Sequence, residues 1–380
     1  MSPISVLVVD DSVVVRRLVT DVLNEDPDIQ VVGTAPNGRI ALAKIPQLNP
    51  DIISLDVEMP IMDGLETLAE LRKSYPSVPV IMFSTLTERG ASATLEALEL
   101  GAQDYVTKPA NVGSVQASMA SVREQLVPKI KALHRGTPRG RAALGQTLPR
   151  QTAIPRSGQG GGPAVPHSAP PAPVLRAAQR RAPIGIVLVG VSTGGPDALA
   201  TVLPALPATF AVPIVVVQHM PPTFTRLLAQ RLDGRCALEV REAQDGDAVR
   251  AGRVLLAAGD FHLRLQRNGT GVVARLDQGT PENFCRPSVD VLFRSAAQVF
   301  GAACLAVVLT GMGSDGARGA ADVVAAGGDV LAQDQATSVV WGMPGAVAQA
   351  GLASQLLPLP DVAATLTRHV DRSRAVGTSR

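Results

Sequence analysis

The chain has 380 residues, 46% of them hydrophobic, and a formal net charge of +2, which is material for two or three domains and excludes a disordered or fibrous chain. Aromatic residues make up only 3%, against a base-stacking surface for single-stranded nucleic acid, and the near-balanced charge implies no particular partner. The three cysteines form no C-x-x-C pair, Asp10 and Asp11 come too early for a signal peptide, and no apolar run reaches a membrane span, so the chain reads as soluble, cytoplasmic and not membrane-inserted.

Residues 1–125 alternate apolar runs with amphipathic stretches. Strands are expected over 4–9, 29–33, 52–55, 78–83 and 104–106. Helices are expected over 13–23, around Ala41 and Ile45, and over 65–71, 91–100 and 113–126. This alternation predicts a doubly wound, five-stranded parallel sheet with helices on both faces. Residues 126–182 are rich in Pro, Gly, Ala and Ser without a period, which predicts a flexible linker. Within them, residues 129–181 hold ten Lys/Arg and no Asp or Glu. The rest of the chain is therefore acidic, and the basic stretch reads as a solvated tether or as a clasp on an acidic domain. Residues 183–372 alternate again, with strands expected over 184–189, 213–218, 254–257, 262–266, 305–310 and 329–332. A three-layer α/β/α domain with a mainly parallel sheet is expected there, followed by a disordered tail at 373–380.

In open α/β sheets, ligands gather at the carboxyl ends of the strands. In the first domain those ends carry Asp10 and Asp11, Asp56, Ser84 and Thr85, and Lys108. Three converging carboxylates repel unless a cation sits among them, and hard oxygen ligands favour Mg²⁺. A carboxylate beside such an ion can attack a phosphoryl group. Taken singly, each Asp reads better as a helix cap and Lys108 as a solvated cation. Together at matching strand ends they read as a site. The stretches "VVDDS" (8–12), "LDVEMPIMDG" (55–64), "MFST" (82–85) and "TKPA" (107–110) resemble the receiver domain of bacterial response regulators. The resemblance implies phosphorylation at Asp56, Mg²⁺ held by Asp10, Asp11 and Asp56, a phosphate switch at Ser84 and Lys108, and an aromatic switch at Tyr105. A histidine kinase would be the phosphodonor. The D-x-D spacing of haloacid-type phosphatases is absent from "VVDDS".

In the second domain, "LVGVSTGGP" (188–196) places Ser192 in a G-x-S-x-G spacing after an apolar run. That spacing alone fits a nucleophile, a phosphate loop or a turn. No Lys follows the glycines, so it is not a Walker A motif. A nucleophilic serine needs a base and a carboxylate to orient it. Of the five histidines, His134 and His167 fall in the expected linker, His262 inside a strand, and His369 on a terminal helix where a solvated role is expected. His219 follows a buried-strand run at the same sheet edge as Ser192 and is the best-placed base; His369 is the alternative in an α/β-hydrolase order. Asp315, in the glycine-rich turn of "LAVVLTGMGSDGARG" (305–319), is the candidate carboxylate, although in isolation a helix N-cap explains it better.

The stretches "GVSTGGPDAL" (190–199), "QHMPPTFTRLLAQRLD" (218–233), "RPSVDVLF" (286–293), "LTGMGSDGARG" (309–319) and "WGMPGAV" (341–347) resemble the chemotaxis protein-glutamate methylesterases, the CheB type. The resemblance implies a catalytic triad of Ser192, His219 and Asp315. It also implies a phosphorylation-activated serine hydrolase that removes γ-methyl esters from glutamates of methyl-accepting chemoreceptors, releasing methanol, and deamidates receptor glutamines. Thr193, Gly194 and the loop at Met312 are candidate oxyanion donors or supports. No cofactor is expected for ester hydrolysis, no nucleic acid as partner, and a monomer as the functional unit. Some members of the family carry His just before R-P-S-V-D, where this chain has Cys285, and the linker is longer and more basic than the family's. A DNA-binding output domain is disfavoured, because the second domain is strand-rich and the basic residues lie in the linker.

Overall fold

β-branched runs buried on both faces can only be strands of a parallel sheet covered by helices, and both halves of the chain fold this way. A computed structural model of the chain describes residues 2–109, 115–136, 173–177 and 182–377. The first domain runs β1 (Ile4–Val9), α1 (Val13–Asn24), β2 (Ile29–Ala35), α2 (Gly38–Leu48), β3 (Ile52–Asp56), α3 (Gly64–Ser74), β4 (Val80–Ser84), α4 (Glu88–Glu99), β5 (Asp104–Thr107) and α5 (Val115–Gly136). Its strands pair in parallel in the order β2-β1-β3-β4-β5. Ser12, Asn37, Asp63 and Thr87 cap the helices that follow β1 to β4, each accepting from a first-turn amide. These caps fix the strand-to-helix turns that carry the acidic residues.

The second domain starts with β6 (Ile186–Val191), α6 (Gly195–Val202), β7 (Ile214–Gln218), α7 (Pro222–Asp233), β8 (Glu239–Glu242) and β9 (Arg253–Leu256). It continues with β10 (His262–Asn268), β11 (Gly271–Asp277), α8 (Val289–Phe300), β12 (Cys304–Val308), α9 (Ala317–Ala325), β13 (Asp329–Gln333), α10 (Met343–Gln349), β14 (Gln355–Leu357) and α11 (Val362–Gly377). Seven strands form a parallel sheet in the order β14-β13-β12-β6-β7-β9-β8, and β10 and β11 form a separate antiparallel hairpin. Every residue of β6, β7, β12 and β13 is buried.

Three strands differ from the sequence expectation. β8 is a polar edge strand, Glu-Val-Arg-Glu, β11 is the partly exposed second arm of the hairpin, and β14 is only three residues long. None carries a buried apolar run, so the signal used for the other strands was missing. The expected domain boundary after residue 125 falls inside α5, which continues to Gly136. The reason is packing: Leu126, Ile130 and Leu133 are buried against the first domain's core, and His134 therefore lies on this helix. Likewise α11 runs through the start of the expected tail, and Arg374 donates to the Ala211 carbonyl at 3.1 Å. Residues 137–172, the bulk of the expected linker, including His167, lie outside the described residues. At its far end Arg176 is pinned to the second domain, donating from its amide to Ala353 O (2.9 Å) and pairing with Asp329 (3.3 Å).

The two domains share a core. Tyr105 of β5 stacks on Phe224 of α7, with centroids 4.6 Å apart and planes at 8°. Leu95, Leu98 and Tyr105 belong to one buried cluster with Phe224, Leu228 and Leu232. Val340 of the second domain is buried in the first domain's α1/α5 cluster, with Met312 and Val339 packed beside it. Around this apolar contact, Arg231 donates to Ser92 O (2.8 Å), Arg235 pairs with Glu99 (3.3 Å) and Arg226 with Glu88 (3.3 Å). The exposed pairs contribute little to stability; they orient the contact.

Because Leu126 is fully buried on the extended part of α5, Leu126→Ala is expected to destabilise the first domain by about 2–5 kcal/mol in urea unfolding. A loss below about 0.5 kcal/mol would place the second half of α5 outside the domain.

Candidate active site and phosphoacceptor site

Ser192, His219 and Asp315 emerge from three strands that are neighbours in the sheet: β6, β7 and β12. Ser192 follows β6, and its amide donates to Thr310 O at 3.0 Å. The turn is tight. Gly194 has φ of 75°, and a Cβ at Gly311 would lie 2.9 Å from the Ser192 Cβ, so Gly311 allows the two strand-end loops to close on each other. Gln218 Nε2 donates to Ser192 O (3.0 Å), tying the serine turn to the end of β7. His219 follows directly, and its amide donates to Val191 O (3.3 Å).

Asp315 is 2% exposed and fully engaged. Its Oδ2 accepts from Val289 N (2.7 Å) and faces His219 Nε2 at 2.8 Å. Its Oδ1 accepts from Asn283 Nδ2 (2.9 Å), Ser288 Oγ (2.9 Å), Asp290 N (3.1 Å) and Gly316 N (3.0 Å). Two of these donors are first-turn amides of α8, so the carboxylate sits at a helix N-terminus, which favours the anion. Burial pushes the Asp315 pKa up, but the hydrogen bond and charge of His219 and the α8 amides outweigh it and hold it well below the usual carboxylate range. For His219, burial opposes the charged ring, yet the hydrogen bonds to Asp315 and Cys285 win and raise its pKa. An ionised carboxylate only accepts, so Nε2 carries the proton and Nδ1 is the basic nitrogen of the neutral ring. Nδ1 faces Cys285 Sγ at 3.6 Å.

Among the described residues, no hydrogen bond joins Ser192 Oγ to His219. The two residues line one small cavity of about 20 Å³, closed on its other side by Leu98, Gln103, Asp104, Tyr105 and Lys129 of the first domain. Thr193 Oγ1 donates to Asp104 Oδ2 at 2.6 Å, and Lys129 Nζ holds the other oxygen of Asp104 at 2.7 Å. A carboxylate of the first domain thus reaches the residue next to Ser192. Gly194 is the N-cap of α6 and lines this cavity together with Thr193. Met312 packs toward the first domain's core.

His369 is 8% exposed on α11, not solvated as expected, because the helix packs its Val362–Leu366–Val370 face into the core. His262 is buried in β10, its Nε2 3.1 Å from Thr280 O. Asn283 and Ser288, which hold Asp315, were not singled out from the sequence; the "RPSVD" stretch contains Ser288 but gives no cue that it reaches a turn 27 residues away.

At the other sheet edge, Lys108 Nζ lies 2.8 Å from both Asp10 Oδ2 and Asp56 Oδ2. Burial and the neighbouring Asp10 charge raise the Asp56 pKa to about 6, with Lys108 opposing. Ligand oxygens of Asp10, Asp11 and Asp56 all lie within 4.8 Å of one another. A cluster of three carboxylates with one lysine is a hard-oxygen donor set that fits Mg²⁺. Ser84 Oγ, at the end of β4, donates to Gly90 O (3.1 Å) in α4. Tyr105 is buried in the domain contact. No helix of the described residues is long and apolar enough to cross a membrane.

Comparison with known proteins agrees with this division. Residues 187–366 match the CheB methylesterase family and residues 6–120 the response regulator receiver domain. A protein-glutamate methylesterase/protein-glutamine glutaminase of Nocardioides sp. is 53% identical over 98% of this chain and 97% of its own length. One of the same name from Trichodesmium erythraeum is 50% identical over 97% of this chain and 100% of its own. Among solved structures, the Thermotoga maritima CheB methylesterase catalytic domain is 46% identical, covers 49% of this chain and 98% of that chain, and superposes with a TM-score of 0.48.

The pair of shifts sets a pH dependence. A raised His219 pKa gives stability that is full below its ordinary 6.5 and is lost as pH climbs toward about 10. A depressed Asp315 pKa gives stability present above its ordinary 3.8 and lost in acid. Unfolding midpoints followed across pH 4–10 should therefore decline on the alkaline side in the wild type, and Asp315→Asn should flatten that decline. An unchanged alkaline limb in the variant would uncouple the histidine from the carboxylate.

Proposed function

The chain belongs to the CheB methylesterase family, and we propose that it is a phosphorylation-regulated serine hydrolase acting on glutamate γ-methyl esters, and on specific glutamines, of methyl-accepting chemoreceptors. The observation that carries the catalytic part is the 2.8 Å contact of His219 Nε2 with the buried Asp315, at the strand end next to Ser192. In this reading Ser192 Oγ attacks the ester carbonyl and His219 Nδ1 takes its proton, while Asp315 keeps the proton on Nε2 and stabilises the imidazolium. Thr193 and Gly194 amides at the start of α6 receive the oxyanion. The histidine then returns the proton to the departing methanol, and water hydrolyses the glutamyl-serine ester by the same steps in reverse. With a glutamine side chain the leaving group is ammonia. The absent Ser192–His219 hydrogen bond is compatible with this, since such contacts commonly tighten only with substrate bound.

The first domain supplies the regulation. Mg²⁺, held by Asp10, Asp11 and Asp56, would neutralise charge on the incoming phosphoryl group. Asp56 accepts that group from a histidine kinase, and Ser84 and Lys108 bind its oxygens. Ser84 bonds to α4, and α4 and Tyr105 pack on α7 of the second domain. A rearrangement at Ser84 therefore acts directly on the contact that covers Ser192.

Methanol release from methylated receptor membranes tests the reading. Ser192→Ala should lower it by at least about 10³-fold. A phosphodonor should raise wild-type release, and Asp104→Ala should raise the unphosphorylated rate. Release that survives Ser192→Ala would remove the serine from the mechanism.

A further inference from the structure

Cys285 has no role in the hydrolysis above, yet its sulfur lies against the basic nitrogen of the catalytic histidine. We propose that Cys285 and His219 form an inhibitory binding site for a thiophilic divalent cation, for which Zn²⁺ is the natural occupant.

The geometry is that of a metal-ligand pair. Tetrahedral Zn²⁺, about 2.3 Å from a sulfur and about 2.1 Å from a nitrogen, holds its two ligands about 3.6 Å apart. Cys285 Sγ and His219 Nδ1 are 3.6 Å apart. The other ring nitrogen, Nε2, faces the Asp315 carboxylate at 2.8 Å. Metal-bound histidines depend on such a carboxylate, which fixes the tautomer, aims the free nitrogen and strengthens it as a donor. The donor atoms of His219, Cys285 and Asp315 lie within 4.8 Å of one another. Asp315 is already saturated by α8 amides, Asn283 and Ser288, so it supports the ligand rather than joining the coordination sphere.

The site is reachable in the docked arrangement. His219 and Cys285 line an open groove of about 510 Å³ between the domains. That groove has room for the waters that complete the coordination of a two-ligand site. A thiolate ligand also separates this ion from Mg²⁺, which prefers the oxygen cluster around Asp56. On binding, the thiol proton and any proton on Nδ1 pass to solvent. The consequence for hydrolysis rests on the assignment of His219 as the base: a metal on Nδ1 occupies the lone pair that Ser192 needs. Inhibition would then be independent of phosphorylation at Asp56.

Titration of the full-length protein with Co²⁺, in the presence of saturating Mg²⁺, tests the site without reference to activity. A sulfur-to-metal charge-transfer band should appear and saturate at one equivalent, be displaced by Zn²⁺, persist in Cys236→Ser and vanish in Cys285→Ser. No band, or a band that persists in Cys285→Ser, overturns the proposal. Should Cys285→Ser fail to fold, wild-type alkylation by iodoacetamide decides: Zn²⁺ should protect Cys285 and leave the rate at Cys236 unchanged, and an unprotected Cys285 overturns it. Asp315→Asn should weaken Co²⁺ binding by about 10–100-fold; unchanged affinity would remove Asp315 from its support. In the methanol assay, Zn²⁺ should suppress wild-type release at least tenfold and a chelator should restore it. Saturated metal with undiminished release overturns the inhibition alone, and the absence of release without metal indicts the esterase reading and not the site.

Discussion

The carboxylate of Asp315 is the fixed point of the second domain. A buried anion is costly unless its oxygens are satisfied, and here every lone-pair direction is taken by an amide, a hydroxyl, a side-chain amide or the histidine ring. Its position is therefore set by α8, by the Asn283 loop and by its own turn, not by solvent. His219 takes its orientation from that carboxylate. Ser192 takes its place from the sheet, because β6 lies between β7 and β12. The chemistry of the site is a consequence of three adjacent strand ends meeting one well-anchored charge.

The domain contact is the second constraint, and it is of a different kind. Its centre is apolar and aromatic, Tyr105 on Phe224 with leucines around it, and its rim is arginine and glutamate. An apolar centre gives the contact its free energy, and the rim gives it register. Beside Ser192, among the described residues, a single polar bond crosses the contact, Thr193 to Asp104. That bond ties the residue beside the serine to a carboxylate which itself belongs to the strand carrying Tyr105. Through it β5 reaches the turn beside Ser192 directly, with no long relay through the core.

Much of the fold was legible because apolar runs of four to six residues mark buried parallel strands. β1, β6, β7 and β12 carry that pattern in Val- and Ile-rich stretches. β8 and β14 did not announce themselves, since an edge strand buries too little to need an apolar run. The extension of α5 was concealed by Pro128 and by the basic composition around it, although Ile130 and Leu133 held the buried face. Composition described the solvent side of that helix, and packing used the other side.

The sequence by itself determined which residues stand at strand ends: Asp10, Asp56, Ser84 and Lys108 in one sheet, Ser192, His219 and Asp315 in the other. Strand ends follow from local hydrophobic pattern, which a linear chain displays. Only the tertiary structure decided that α8 amides clamp Asp315, that Cys285 faces His219, that Asp104 reaches Thr193 and that Tyr105 lies on Phe224. Those pairs are separated by 25, 66, 89 and 119 residues. Their meeting depends on strand order and on how one domain seats on the other, and neither is written in any local stretch of the chain.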